Sequence, residues 1–287
     1  MRHPLRAVVV LLALLFTACA GPAQPPAGAA GSGYPVTIRS DIAYGPLPAE
    51  RADLYLPQGA PAGRGAVVVI HGGGWVAGSR AYAASLCNLL AARGLVVLSI
   101  DYRLANYTQP DTRWPAQLVD SRRALEWVRA HAGALGIDTA RIGTAGDSSG
   151  AHLAVMLALA PGVGQPPVAA VLDQFGPTNL ATLPQWVNGS YWGLFGTGRP
   201  SAEALRSASP LPLITPHAPP MLIVQGDADV VVPPAQSRAL EAALRSNHVP
   251  VELIPYHGDH AYGGLSLPDI IALQTHEANW LAAQLSR

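Results

Sequence analysis

Apolar runs alternate with amphipathic runs along the chain from residue 34 onward. Ala66–Ile70 is an unbroken run of small and β-branched residues, a pattern typical of a strand that is buried on both faces. Similar runs predict further strands at Leu95–Ile100, Arg141–Ala145, Val168–Leu172, Met221–Val224 and Val251–Pro255. Between these runs, the spacing of apolar positions and the capping residues predict helices over 79–93, from Pro115 onward, and over Ser149–Leu159, Pro234–Ser246 and Leu267–Leu285.

This order of elements predicts the fold class. Strands that alternate with helices form a mostly parallel sheet with helices on both faces. Two early runs, near Val36–Tyr44 and Ala52–Leu56, predict peripheral antiparallel strands. We therefore expect an α/β protein with a twisted sheet of about eight strands, and we expect one domain to span residues 34–287.

One segment, 174–219, interrupts the alternation of strands and helices. It is long and rich in proline and glycine, and it carries Trp186, Tyr191, Trp192 and Phe195. Connections of this length in compact domains usually cover or line a site. We predict a small cap-like insertion beside the functional site, whose aromatic side chains either pack in the core or stack on a ligand.

The first twenty residues have the composition of a signal peptide. Arg2 and Arg6 precede an apolar stretch, 7–16, that is too short to span a bilayer, and small residues follow it. Two interpretations of processing remain open: Cys19 is lipidated after cleavage of a lipoprotein signal, or the Ala18-Cys19-Ala20 site releases a soluble protein. Residues 21–33, almost entirely Gly, Pro, Ala and Ser, then form a flexible linker. Both interpretations predict export to the periplasm, cell surface or exterior, and a membrane contact only through a lipid on Cys19.

Composition narrows the class of partner. The 287 residues carry a formal net charge of zero and no cluster of basic residues, which argues against nucleic acid as a ligand. Nine histidines show no paired metal-ligand spacing, so no metal is expected. Cys87, in a stretch rich in leucine, is predicted to be a small buried core residue. The oligomeric state is left open by the sequence.

The motif Gly146-Asp147-Ser148-Ser149-Gly150 lies between a predicted strand and a predicted helix. In this context the pattern G-x-S-x-G predicts a sharp turn that exposes a nucleophilic serine at a helix N-terminus. We therefore predict that Ser148 is the nucleophile rather than Ser149.

A glycine-rich loop, His71-Gly72-Gly73-Gly74-Trp75, directly follows the strand Ala66–Ile70. Glycines allow the main chain to approach a reacting carbonyl closely, so that backbone amides stabilise the oxyanion. We assign the oxyanion hole to the amides of Gly73, Gly74 and Ser149. No phosphate-binding motif is present in the loop.

A serine nucleophile needs a histidine to accept its proton and an acid to orient that histidine. In the fold that builds a nucleophilic serine on a strand-to-helix turn, the chain order is serine, acid, histidine. Asp229 and His260, each in a loop just after a predicted strand, are the favoured candidates. Asp227 and Asp173 remain alternatives for the acid, and His257 remains an alternative for the base. His152, one helical turn after Ser148, is predicted to be a packing or hydrogen-bonding residue.

These motifs together resemble the hormone-sensitive-lipase-like branch of the α/β-hydrolases, and more narrowly the bacterial acetylxylan/feruloyl esterases. Further matching segments are Asp101-Tyr102-Arg103-Leu104, the stretch from Trp114-Pro115-Ala116 to Asp120, Ser209-Pro210 and Val232-Pro233. The resemblance implies hydrolysis of carboxylic esters through an acyl-enzyme without a cofactor, in which Ser148 attacks, His260 carries the proton and Asp229 orients His260.

The chain departs from this family pattern at two points. Gln225 stands where relatives usually have histidine, and the long N-terminal cap of lipase-like members is absent, which argues against long-chain triglycerides as substrates. We therefore expect a short-chain, acetyl or aryl ester, with an ester of a polysaccharide as one option. A peptidase or amidase using the same triad is the second hypothesis. A non-catalytic binding protein is the third, although such a protein would typically have lost a triad residue.

Overall fold

An eight-stranded sheet forms the centre of the molecule. The computed structural model describes residues 33–160, 162, 166–184 and 188–286, so the predicted signal peptide, Cys19 and most of the linker lie outside the described residues. The strands are β1 (Val36–Ala43), β2 (Arg51–Pro57), β3 (Arg64–Ile70), β4 (Val96–Ile100), β5 (Ile137–Asp147), β6 (Val171–Gln174), β7 (Met221–Gly226) and β8 (Val251–Tyr256).

The strand order is β1-β2-β4-β3-β5-β6-β7-β8. β1 pairs antiparallel with β2, and β2 pairs antiparallel with β4, whereas the pairs from β4 to β8 are all parallel. This arrangement confirms the predicted fold class, including the two peripheral antiparallel strands. Because parallel strands place their carboxyl ends at one edge of the sheet, the loops after β3, β5, β7 and β8 meet there.

Helices cover both faces of this sheet. Within the described residues they are α1 (Ala84–Ala92), α2 (Ala116–Ala130), α3 (Ala132–Leu135), α4 (Ser149–Leu159), α5 (Asn188–Phe195), α6 (Ala202–Ser207), α7 (Ala235–Ser246) and α8 (Leu267–Leu285). Alternate residues of β3 point to opposite faces, so Val67 and Val69 pack in one apolar core with α1 and α8. Val68 and Ile70 pack in the other core with α2, α4 and α7. None of the described helices has an apolar stretch long enough to cross a bilayer.

Three elements begin more than two residues away from their predicted starts. The strand predicted at Arg141–Ala145 is observed at Ile137–Asp147. The strand predicted at Val168–Leu172 is observed at Val171–Gln174, because only isolated hydrogen bonds, such as that from the Ala169 amide to the Ile142 carbonyl, precede the regular ladder. The helix predicted over 79–93 begins as a 3₁₀ turn, and α-helical geometry starts only at Ala84.

The segment between β6 and β7 contains α5, α6 and short 3₁₀ turns. Tyr191 and Leu194 of α5 are buried in the core. Gly193 lies so close to the loop after β3 that a Cβ there would come within 2.6 Å of a methyl group of Val76. Trp192 is 53% exposed, and Trp186 lies outside the described residues. Packing therefore accounts for Tyr191, while Trp192 faces solvent.

Candidate active site

Ser148 occupies the sharp turn between β5 and α4, with φ 51° and ψ −121°. A positive φ is strained for a residue with a side chain and is maintained here by tight packing around the turn. A Cβ on Gly150 would overlap the carbonyl oxygen of Ile70, and a Cβ on Gly146 would lie 2.5 Å from the Gly150 main chain. Both glycines of the motif are thus required by the close approach of α4 to β3.

The structure brings Ser148, His260 and Asp229 into one hydrogen-bonded row. Ser148 Oγ lies 2.9 Å from His260 Nε2, and His260 Nδ1 lies 2.7 Å from Asp229 Oδ2. Because the carboxylate only accepts, Nδ1 carries the imidazole proton and Nε2 is left to accept the serine hydroxyl. Phe175 packs edge-on against the imidazole ring at a centroid distance of 5.0 Å.

Asp229 is held rigidly in the loop that follows β7. Its side chain is buried, and Oδ1 accepts hydrogen bonds from the amides of Val231 and Val232, both at 2.8 Å. Oδ2 accepts from His260 and, at 3.0 Å, from Nε2 of Gln225. Four donors therefore occupy the four acceptor sites of the carboxylate.

The structure does not bring the rival residues to Ser148. Asp227 and His257 bond to each other at 3.1 Å and are both exposed, and the hydrogen bond from His257 lowers the pKa of Asp227. Asp173 is buried in β6, where burial raises its pKa to about 7 and Oδ1 accepts from the amide of Gly176. Among the described residues, neither Asp227 nor Asp173 contacts His260.

The glycine loop after β3 is tied to the serine turn. The Gly72 amide donates to Asp147 Oδ1 at 2.8 Å, which fixes the loop against the residue before Ser148. Gly73 has φ 120°, and a Cβ there would overlap the carbonyl oxygen of Ala77. Within the described ranges, the amides of Gly73 and Gly74 have no protein acceptor, and Ser149 contributes the first amide of α4. These three amides are available to a ligand oxygen.

Two residues singled out in the sequence have structural roles. His152 is buried, where Nδ1 accepts from the Trp75 indole at 3.1 Å and Nε2 donates to the Ala208 carbonyl at 2.6 Å. Burial lowers the pKa of His152 to about 4, so the ring is neutral. Cys87 is buried in the core and its pKa is raised by burial to about 12, which leaves it unreactive. Both predictions are confirmed.

A buried polar cluster behind the histidine loop was not predicted. Glu277 of α8 accepts from Gln174 Nε2 at 2.6 Å and from the Tyr262 hydroxyl at 2.9 Å. The Gln174 carbonyl oxygen in turn accepts the amide of Ser148 at 2.8 Å. The cluster therefore links the serine turn to the loop of His260. The sequence signal for this cluster was Glu277, an acidic residue on the same face of α8 as the apolar Ala278 and Leu281.

The described residues contain no cluster of His, Cys, Asp or Glu suited to a metal ion. The chemistry that this arrangement can perform is nucleophilic attack by an activated serine, with stabilisation of an oxyanion by main-chain amides.

Comparison with known proteins places this geometry in a family. The chain is 32% identical over 229 residues to Esterase LipC of Mycobacterium tuberculosis, which covers 72% of this chain and 55% of LipC. It is 28% identical over 241 residues to isoprenylcysteine alpha-carbonyl methylesterase ICME of Arabidopsis thaliana, covering 77% of this chain and 56% of that protein. The chain thus spans about half the length of the curated relatives it matches.

Among solved structures, a truncated form of a carbohydrate esterase from gut microbiota superposes with a TM-score of 0.71 at 26% identity, covering 88% of this chain and 99% of that chain. The family model BD-FAE matches residues 52–244, which contain both the glycine loop and the serine turn. Since this match covers more than half of the chain, the protein is a member of the BD-FAE family, within the α/β-hydrolase superfamily.

Proposed function

We propose that this protein is an exported serine hydrolase that cleaves carboxylic esters through an acyl-enzyme. The observation that carries the proposal is the row Ser148–His260–Asp229, with distances of 2.9 and 2.7 Å, at a strained strand-to-helix turn. Similarity to proteins named as esterases supports the same activity.

In the proposed reaction, Ser148 Oγ attacks the ester carbonyl carbon while its proton moves to His260 Nε2. The negative charge on the carbonyl oxygen is stabilised by the amides of Gly73, Gly74 and Ser149, and Asp229 stabilises the imidazolium. His260 then returns the proton to the leaving alcohol, which leaves an acyl group on Ser148. Water attacks this acyl group with His260 as general base, and release of the carboxylic acid restores the serine.

The substrate class that we propose is a short-chain, acetyl or aryl ester. α5 brings Ser190 close to the glycine loop, since a Cβ on Gly74 would lie 2.8 Å from Ser190 Oγ. The space beside the oxyanion hole is thereby limited. Trp192 of the same helix is 53% exposed, and we propose that its indole ring stacks on an aryl or sugar group of the substrate. The carbohydrate esterase similarity is consistent with an ester of a polysaccharide.

The test is hydrolysis of p-nitrophenyl esters from acetate to palmitate by the full chain, with Ser148→Ala as the matched control. We expect turnover of the short esters and a loss of several orders of magnitude in the variant, as in a serine protease whose nucleophile removal costs ~10⁶ in kcat. An organophosphonate that labels Ser148, measured by peptide mass, tests the nucleophile independently. A folded wild-type protein that cleaves p-nitroanilides but no ester would replace the esterase proposal with an amidase.

Export is the second part of the proposal, and it rests on the charge and hydropathy pattern of residues 2–20. Expression of the full chain in a bacterial host, followed by mass analysis of the mature N-terminus, distinguishes the two modes of processing. A diacylated Cys19 that is lost in Cys19→Ala supports the lipoprotein, while cleavage after Ala20 supports soluble release. Retention of the uncleaved chain in the cytoplasm would contradict export.

A further inference from the structure

The side-chain amide of Gln225, at the end of β7, contacts the same carboxylate oxygen that binds the histidine. Gln225 Nε2 lies 3.0 Å from Asp229 Oδ2, and His260 Nδ1 lies 2.7 Å from that atom. Gln225 and Asp229 are both buried at 3% exposure. A hydrogen bond to a carboxylate that is shielded from water is among the stronger ones in proteins.

The orientation of this amide is fixed on both sides. Around Nε2 lie three acceptors: Asp229 Oδ2, the Val232 carbonyl at 3.2 Å and the Gly226 carbonyl at 3.2 Å. On the other side, Ser237 Oγ donates to Gln225 Oε1 at 2.6 Å. A flipped amide would direct its oxygen at three acceptors, which is electrostatically unfavourable, so the NH₂ group must face Asp229.

We propose that Gln225 is a positioning residue of the catalytic site, and that Ser237 of α7 sets the orientation of its amide. This inference rests on the proposed function, because its kinetic effect requires that His260 and Asp229 act in ester hydrolysis. Gln225 occupies the fourth acceptor site of Asp229 and prevents the carboxylate from turning away from His260. It thereby fixes the imidazole tautomer that leaves Nε2 free to accept the Ser148 proton.

Loss of the amide changes the charge balance around His260 in a defined direction. With one donor fewer, Asp229 carries more uncompensated negative charge, which stabilises the imidazolium. The other ionisable groups that interact with this pair are Asp147, Asp259 and Tyr256, and the substitution removes none of them. The acidic limb of the pH dependence of kcat/KM therefore moves to higher pH when Gln225 is replaced by an apolar residue of similar size.

The experiment compares Gln225→Met, Ser237→Ala and Ser237→Thr in the full chain, on p-nitrophenyl acetate. We expect Gln225→Met to lower kcat about 10- to 100-fold with little change in KM. Ser237→Ala lowers kcat about 3- to 10-fold, and Ser237→Thr, which keeps a hydroxyl, retains activity within about 3-fold of wild type.

Gln117→Met is the matched control, because Gln117 is also a buried glutamine whose amide donates to two carbonyls, those of Arg103 and Thr112, but it lies on α2 away from Asp229. We expect the melting temperature of Gln117→Met to fall as in Gln225→Met. However, kcat and the acidic limb of the pH dependence of kcat/KM stay at wild-type values in Gln117→Met. If Gln225→Met behaves like Gln117→Met, with activity within about 3-fold and an unmoved limb, the positioning role is refuted.

A second measurement is independent of turnover. The His260 Nδ1 proton, hydrogen-bonded to a carboxylate, gives a low-field proton resonance that can be assigned with ¹⁵N-labelled histidine and the His260→Ala variant. Loss or broadening of this resonance in Gln225→Met supports the inference even if wild type hydrolyses no ester. An unchanged resonance together with an unchanged pH profile overturns it.

Discussion

Glu277 makes a contribution to stability that depends on pH and can be calculated from its surroundings. The residue has no exposed surface, and its two hydrogen bonds come from neutral groups, Gln174 and Tyr262. Because no positive charge compensates for burial, the pKa of Glu277 rises from its ordinary value of 4.5 to about 7 in the folded protein. The folded state therefore binds this proton more tightly than the unfolded state does.

The free energy of unfolding consequently falls as the pH rises from 4.5 towards 7, where the unfolded chain has released the proton and the folded protein still holds it. Below pH 4.5 the contribution of Glu277 is fully present, and above pH 7 it is lost. With ~1.36 kcal/mol for each pH unit, the difference between the two pKa values corresponds to about 3 kcal/mol.

Glu277→Gln removes this titration while keeping the size of the side chain. We expect urea unfolding at pH 5, 6, 7 and 8 to show that the stability of wild type relative to Glu277→Gln declines by about 2 to 3 kcal/mol over this range, since part of the contribution is already lost at pH 5. Asp173, whose pKa is also raised to about 7 by burial, titrates in both proteins and cancels in the comparison. Glu203→Gln, at an exposed position of α6, serves as the control and should follow wild type at every pH.

A difference between wild type and Glu277→Gln that changes by less than about 1 kcal/mol from pH 5 to pH 8 would refute this reasoning, since it would mean that Glu277 does not change its protonation in that range. A difference that changes in the opposite direction would mean that the buried carboxylate is stabilised as an anion.

Three further predictions concern the site and the core. Gly73→Ala introduces a Cβ that overlaps the Ala77 carbonyl, and the loop must shift the Gly73 amide to relieve this overlap. We therefore expect kcat for p-nitrophenyl acetate to drop by ~10²–10³, as after loss of an oxyanion donor, while circular dichroism shows that the protein remains folded. Asp229→Asn should lower kcat by ~10⁴, as the same change does in a serine protease, whereas Asp227→Asn in the exposed pair should leave kcat within about 2-fold of wild type. Cys87, with its pKa raised by burial to about 12, should resist iodoacetamide at pH 8 until urea unfolds the protein, as followed by intact mass.

The parts of the molecule that sequence predicted well are those in which the signal is local. Five consecutive residues around Ser148 contain the whole turn, and the glycine loop directly follows the buried run Ala66–Ile70. The parallel pairing of the central strands follows from the alternation of apolar runs and amphipathic helices. In each case the physical requirement, either close approach of the main chain or burial on both faces, is met by residues that are adjacent in sequence.

For choices between near neighbours, the sequence favoured one residue but left its rivals open. Asp227 and Asp229 lie in the same turn, and only the course of the turn directs Asp229 inward, where the amides of Val231 and Val232 receive it. Asp227 instead meets the exposed His257. Such differences depend on backbone direction over two or three residues, which composition does not encode.

Contacts between distant segments were beyond local patterns altogether. Glu277 reaches Gln174 across 103 residues of sequence, and the Gln225–Ser237 pair joins a strand to the following helix. These polar contacts exist only because the sheet order and the helix placement bring the segments together. An unpaired polar residue in an apolar stretch signals that a partner exists but does not identify it.

The packing around the serine turn bears on how this family can be recognised in sequence. Gly146 and Gly150 are small because α4 crosses the backbone of β3 closely, and the overlap with the Ile70 carbonyl would be the same whatever residue stood at position 148. A descendant of this chain that had lost Ser148, and with it the chemistry, would still need both glycines to fold. The two glycines thus indicate the fold and common descent, and we expect them to be conserved in inactive descendants as well as in active enzymes. In a genome survey, the informative positions for activity are the serine itself and its two distant partners, His260 and Asp229.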